Sequence, residues 1–117
     1  MPNIRELVAA ISQRDGVDAA VVLGRDGIVI DSSAPPNVDA ERMAAHIPSI
    51  LMGADDLGAS GMRGALTMAV IEQPGGLAII CALSAEAVLL VLVRPDADVA
   101  NLLYELRRNR EQMAALV

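Results

Sequence analysis

The 117-residue sequence predicts an α/β protein, an α+β sandwich with the element order α-β-β-α-β-β-β-α. Three observations carry this expectation. Two β-rich runs meet at Asp26-Gly27, a residue pair that supplies the positive-φ positions of a tight hairpin turn. A long stretch of helical periodicity follows, from Val38 to about Leu57. The runs Ala19 to Leu23, Leu77 to Cys81 and Val88 to Val93 are almost continuously apolar, as strands covered by helices on both faces must be.

Taken in order, Asn3 is placed to cap a first helix and Glu6 completes a capping-box spacing. Ile4, Leu7, Val8 and Ile11 then share one face, and the helix is expected to end near Asp15-Gly16. Asp18 to Leu23, the turn Gly24-Arg25-Asp26-Gly27 and Ile28 to Ser32 form the hairpin. Ala34-Pro35-Pro36 breaks the chain, Asn37 is a candidate cap, and Asp39 and Glu41 put negative charge where the second helix's macrodipole favours it. Ala40, Met43, Ala44, Ile47, Ile50, Leu51, Ala54 and Leu57 form its sheet-facing sector, and Pro48 predicts a bend by removing one backbone hydrogen bond. Gly58-Ala59-Ser60-Gly61 reads as a flexible link. Strands are expected at Ala65 to Glu72, at Leu77 to Cys81 after a Gln73-Pro74-Gly75-Gly76 turn, and at Ala87 to Val93. Asp96 is the candidate cap of one last helix lined by Val99, Leu102, Leu103, Leu106 and Met113, with Arg107, Arg108 and Arg110 near its C-terminal end. No linker divides the chain, so a single domain over residues 1–117 is expected.

Composition narrows the chemistry. With no Phe, no Trp and one Tyr104, the core must be aliphatic. The net charge is −6 and all nine basic residues are dispersed arginines, which argues against nucleic acid as a partner. Cys81 is the only cysteine and the N-terminal residues do not form a signal segment, so a cytoplasmic location is expected. Leu77 to Val93 is interrupted by Ser84 and Glu86 and falls short of the roughly 18 to 20 apolar residues of a membrane helix, so no membrane insertion is expected.

No catalytic set assembles. His46 has no second histidine, Cys81 lies in an apolar strand without a base, and the absence of lysine removes the Walker-type phosphate loop. No catalytic residue, metal or cofactor is therefore expected. Arg63 is the one candidate for an arginine finger, although an exposed link arginine is the commoner reading. The outer sector of the second helix is more informative: Glu41, Arg42, Ala45, His46, Pro48, Ser49, Met52, Gly53, Asp55 and Asp56 mix small, apolar and charged residues. From it, Arg42, Ala45, His46, Ser49, Met52, Gly53 and Asp56 are the candidate partner-binding residues.

The hairpins leave the second and third strands outermost. Asp31-Ser32-Ser33 blunts the second, whereas Leu66, Thr67, Met68, Ala69, Val70 and Ile71 carry neither charge nor proline. An open apolar edge of this kind predicts antiparallel pairing of two copies along the third strand. Ala45, Ser49 and Met52 of the long helix would join that dimer interface.

The hairpin Val21-Val22-Leu23-Gly24-Arg25-Asp26-Gly27-Ile28-Val29-Ile30, the helix from Val38 to Leu57, the Pro74-Gly75-Gly76 turn before Leu77-Ala78-Ile79-Ile80, and the Val88 to Pro95 segment together resemble the roadblock (dynein light chain) family, and within it the bacterial MglB-like members. The resemblance covers nearly the whole chain and lies in element order and spacing. It implies a five-stranded antiparallel sheet ordered 2-1-5-4-3, the first and last helices on one face, the long helix on the other, and dimers joined through the third strand and long helix. It also implies a platform for a small Ras-like, MglA-like GTPase whose hydrolysis or nucleotide exchange is modulated. Eukaryotic relatives act instead as scaffolds or cargo adaptors, so a non-enzymatic adaptor is the alternative. A small-molecule sensor would need a polar pocket between helix and sheet, of which the aliphatic core gives no sign.

Overall fold

In the computed structural model, which describes residues 3–117, the Asn3 side chain accepts a hydrogen bond from the Glu6 amide at 2.9 Å and starts helix α1 (Ile4–Ser12). The helix closes at Gln13, about a turn earlier than the sequence suggests. Gly16, at φ +88°, swings the chain into strand β1 (Val17–Gly24), and a Cβ there would collide with the Ala97 side chain. Gly27, also at φ +88°, closes the turn to β2 (Val29–Ser33).

Helix α2 (Ala40–Ser60) runs through Pro48 and ends one turn beyond Leu57. Its cap is Asp39, whose carboxylate accepts from the Arg42 amide at 3.1 Å, not Asn37. Asn37 sits in a turn in which the Val38 amide bonds to Pro35 O, two positions too early to reach the helix's free amides. Pro48 has no N–H for Ala44 O, and the hairpin turn packs over that site: a Cβ on Gly27 would lie 3.2 Å from Ala44 O and 3.1 Å from Pro48 Cγ. The chain then reverses through residues 61–67 into β3 (Met68–Gln73), crosses a Pro74-Gly75 turn into β4 (Gly76–Ala82), and continues through β5 (Ala87–Val93).

Strand β3 starts three residues later than expected, so Leu66 and Thr67 form its approach. Gly58-Ala59-Ser60-Gly61 is not a flexible link. Gly58 to Ser60 form the last turn of α2, and the Arg63 amide returns to Gly58 O at 2.7 Å.

The C-terminal helix is broken in two, α3 (Val99–Arg108) and α4 (Arg110–Ala114), around Asn109. Asp98 caps α3; Asp96 instead pairs with Arg94 at 3.5 Å. The break returns Met113 to the core, where it is 5% exposed. It also assigns Arg110 a different task from that of a C-terminal cation, because its Nε donates to Ala82 O at 2.6 Å and ties α4 to the end of β4.

The sheet order is β2-β1-β5-β4-β3 with every neighbouring pair antiparallel. Alternate residues feed two apolar layers. Ala20, Val22, Ile79, Cys81, Leu89 and Val91 meet α1, α3 and α4, while Val21, Leu23, Ile80, Val88 and Leu90 meet α2 through Ala44, Ile47 and Leu51. Arg14 pairs with Glu105 across the first layer.

The end of α2 gives a direct stability test. A Cβ on Gly58 would penetrate the Gly64 carbonyl, whereas one on Gly53 meets nothing within 4 Å. Gly53→Ala should raise stability by about 1 kcal/mol through helix propensity. Gly58→Ala should lower it, toward the upper end of the roughly 1–3 kcal/mol cost of overpacking. Thermal and urea unfolding followed by circular dichroism would show opposite shifts; shifts of the same sign would contradict the close contact.

Candidate functional site

Strand β3 pairs with β4 from Met68↔Cys81 to Gln73↔Gly76 and, among the described residues, has no strand on its other side. Met68 packs into the α1/α3 layer and Ala69 and Ile71 into the α2 layer, while Val70 is 43% exposed. The edge is apolar on both faces until Glu72, near its end. Its outward backbone groups are free to pair with another strand.

Helix α2 makes its closest approach to β1 and β2. Toward β3 and β4 it leaves a groove of about 210 Å³, whose walls include Met43, His46, Ile50, Ile71, Ala78 and Leu92. An uncovered apolar strip thus runs beside the open edge. Leu66, Thr67, Met68, Ala69, Val70 and Ile71 all lie along this border, the first two as its approach and the other four within the strand.

On the outer side of α2, Arg42, Ala45, His46, Ser49, Met52, Gly53 and Asp56 are all exposed, Met52 by 67%. The helical wheel misplaces two neighbours. Leu57, assigned to the sheet, is 74% exposed, and the reversing chain there is met instead by Asp55 and Gly58. Asp55, assigned to the open sector, is half-buried: it accepts from Arg25 Nη2 at 2.7 Å and from the Leu66 amide at 2.8 Å. Sequence periodicity carried no signal for either contact. The one hint was the pairing of Gly58 with Gly64, small residues where two backbones meet. Pro48 is half-buried against the hairpin turn and so belongs only partly to the open face.

Arg63 is exposed and forms no ion pair among the described residues. No group of three or more His, Cys, Asp or Glu among the described residues is placed to hold a metal ion. Nor is any helix among them long and apolar enough to cross a membrane. A further cleft, of about 350 Å³, lies on the opposite face between α1 and the C-terminal helices, with Leu7, Ile11, Leu106 and Met113 among its walls and the Arg14–Glu105 pair beside them.

Known proteins resemble this arrangement over nearly its whole length. A family model described as the Roadblock/LC7 domain matches residues 3–93. An uncharacterised protein of Methanocaldococcus jannaschii is 30% identical over 117 residues, covering 97% of this chain and 95% of its own. The crystal structure of a Roadblock/LC7 domain from Streptomyces avermitilis superposes with a TM-score of 0.83 at 25% identity, over 95% of this chain and 94% of that one. The gliding protein MglB of Thermus thermophilus gives a TM-score of 0.85 at 15% identity, over 96% and 86% of the two chains, a likeness of fold.

Within that fold Cys81 is buried in the middle of the α1/α3 layer. Burial pushes its thiol above the ordinary range, and Arg110 pulls it only partly back. The thiolate is the reactive form, so native Cys81 should react with a thiol-specific reagent at neutral pH at least about a hundredfold more slowly than in the denatured chain. Equal rates in the two states would show the strand to be open.

Proposed function

Because the chain belongs to the Roadblock/LC7 family, we propose that it works as a homodimeric regulatory module that binds a small Ras-like, MglA-like GTPase and modulates its GTP hydrolysis or nucleotide state. The observation that carries this reading is the open apolar edge of β3 beside the uncovered groove along α2. Two copies pairing antiparallel along β3 satisfy the free backbone groups and join their sheets. The two α2 helices then come together over the groove, by the side that carries Met43, His46 and Ile50, and the small residues Ala45, Ser49 and Gly53 permit a close approach; Met52 instead lines the cleft beside Arg25 and Pro48. One structural neighbour, an MglB, has a tetrameric arrangement, so proteins of this fold do self-associate.

The paired helices would present Arg42, Ala45, His46, Ser49, Met52, Gly53 and Asp56 as a partner surface. Such a surface modulates hydrolysis by positioning the partner's own groups, which requires no catalytic side chain from this chain. Arg63 is not needed as a finger. Its link is pinned by hydrogen bonds to the end of α2, away from the sector that carries the exposed small residues.

Sedimentation of the full chain at micromolar concentration should return a dimer. Val70→Lys, which puts a charge on the edge, should shift it to monomer, and a monomeric wild type would overturn the dimer. Ala45→Arg or Gly53→Arg should abolish dimerisation or capture of a GTPase, and retention of both would remove α2 from the interface. With a captured GTPase, Arg63→Ala should leave multiple-turnover hydrolysis unchanged. A GTPase that binds without any change in turnover or nucleotide exchange would make this chain an adaptor.

A further inference from the structure

Both carboxylate oxygens of Asp55 are engaged, and by distant parts of the chain. Oδ2 accepts from Arg25 Nη2 at 2.7 Å, and Oδ1 accepts from the Leu66 amide at 2.8 Å. Arg25 is rooted in the sheet, since its own amide donates to Glu86 O at 2.9 Å beside the Gly24↔Ala87 pair of β1 and β5. Leu66 belongs to the approach to the edge strand, far from Arg25 in sequence but held by the same carboxylate. Its side chain packs into the α2 layer, and the next residue, Thr67, accepts from the Ala82 amide at 2.9 Å and leads into β3. One carboxylate therefore joins the hairpin, α2 and the approach to the edge strand.

The reversal between Asp55 and Leu66 begins as a helix C-cap, in which the Met62 and Arg63 amides donate back to Ala59 O and Gly58 O. Met62 sits at φ 57°, a left-handed conformation that costs a side-chain-bearing residue on the order of 1 kcal/mol. Gly64 is at φ +85° and backs onto Gly58. The cap bonds stop at Arg63, so the chain beyond Gly64 takes its position from other contacts. The Arg63 amide on Gly58 O secures one end, and Asp55 secures the other.

The clasp also faces outward. Arg25, Pro48, Leu51, Met52, Asp55 and Asp56 line a shallow cleft of about 390 Å³ on the side of α2 that carries the exposed Met52 and Asp56. We infer that Asp55 is a positioning residue that fixes the approach to β3 and so sets the strength of the dimer, from a place where a bound partner bears on it. This rests on the dimer reading above.

The test compares full-length wild type, Asp55→Ala and Asp55→Asn by sedimentation equilibrium and by amide hydrogen exchange at Leu66. Asparagine keeps an oxygen for the Leu66 amide but loses the charge that holds Arg25. Asp55→Ala should weaken the dimer by about tenfold or more and speed Leu66 exchange by a similar factor, as expected for loss of a charge-assisted hydrogen bond. Asp55→Asn should keep Leu66 protected and hold the dimer constant within about threefold of wild type. If Asp55→Asn is as weak as Asp55→Ala, charge alone matters and positioning is overturned. Faster Leu66 exchange with an unchanged dimer constant overturns the link to dimerisation. A monomeric wild type removes the dimer reading, while the Leu66 exchange rates still decide whether Asp55 fixes the start of the strand.

Discussion

Two-sided burial of β5 is the constraint to which the other elements answer. Flanked by β1 and β4, it has Val88, Leu89 and Val91 fully buried and Leu90 only 3% exposed. Its alternate residues face opposite apolar layers, so neither face can be left to water. Without Phe or Trp, no single side chain fills much space, and the layers are built from many closely packed branched aliphatics. Helices on both faces are then a requirement of the sequence, and the flanking strands inherit the same burial on their inner sides.

The two faces do not receive equal cover. Strands spaced about 4.8 Å apart make a five-stranded sheet roughly 20 Å wide, and a helix with its side chains spans about 10 Å. The α1 and α3 pair therefore suffices for one face, while α2 alone leaves the margin of the other only partly covered, at Ala69, Ile71 and Ala78. Because α2 packs on β1, β5 and the inner part of β4, the deficit falls along β3, where the groove beside Ile50 and Ile71 is found. The open edge and the open face thus share one cause and one location. A second copy of the chain meets both needs, since it brings a strand for the edge and a helix for the groove.

Most of the fold was legible in the residues. β-rich runs bounded by Asp-Gly and Pro-Gly-Gly located both hairpins, and their near-continuous apolar character placed β1, β4 and β5 inside the sheet. The strand order came from the family resemblance and agrees with the structure. What the residues concealed lies at element ends. Asn37 and Asp39, like Asp96 and Asp98, are chemically equivalent as caps, and only tertiary packing of the flanking turn decides which one the helix uses. A helical wheel also treats every turn alike and carries no trace of a segment that returns to the helix from elsewhere in the chain. Leu57 and Asp55 exchange roles for that reason: one loses its apolar partner, and the other gains a backbone amide and an arginine from segments far away in sequence. Of the surface as a whole, the edge and the exposed sector could be read from local pattern. The contacts binding them together could not, because they join residues 25, 55 and 66.

A surface without catalytic groups acts only through shape, so in the proposed dimer the spacing of the two α2 helices carries the function. That spacing depends on the register of the β3 pair. Only alternate residues of a strand turn their N–H and C=O outward, so permitted registers differ in steps of two residues, or about 7 Å. One such step would slide the paired helices past each other and separate the small residues that let them approach. Edges made of similar aliphatic residues discriminate poorly between registers, and Met68 to Ile71 is such an edge. The choice then falls to the ends of the strand, where the pairing can or cannot continue. Glu72 and the Pro74 turn limit one end; at the other, the limit is the point at which Asp55 draws the Leu66 amide away from the edge and toward α2. By that reasoning a polar clasp at the end of a helix decides the geometry of an otherwise apolar interface, and the aliphatic edge supplies its strength.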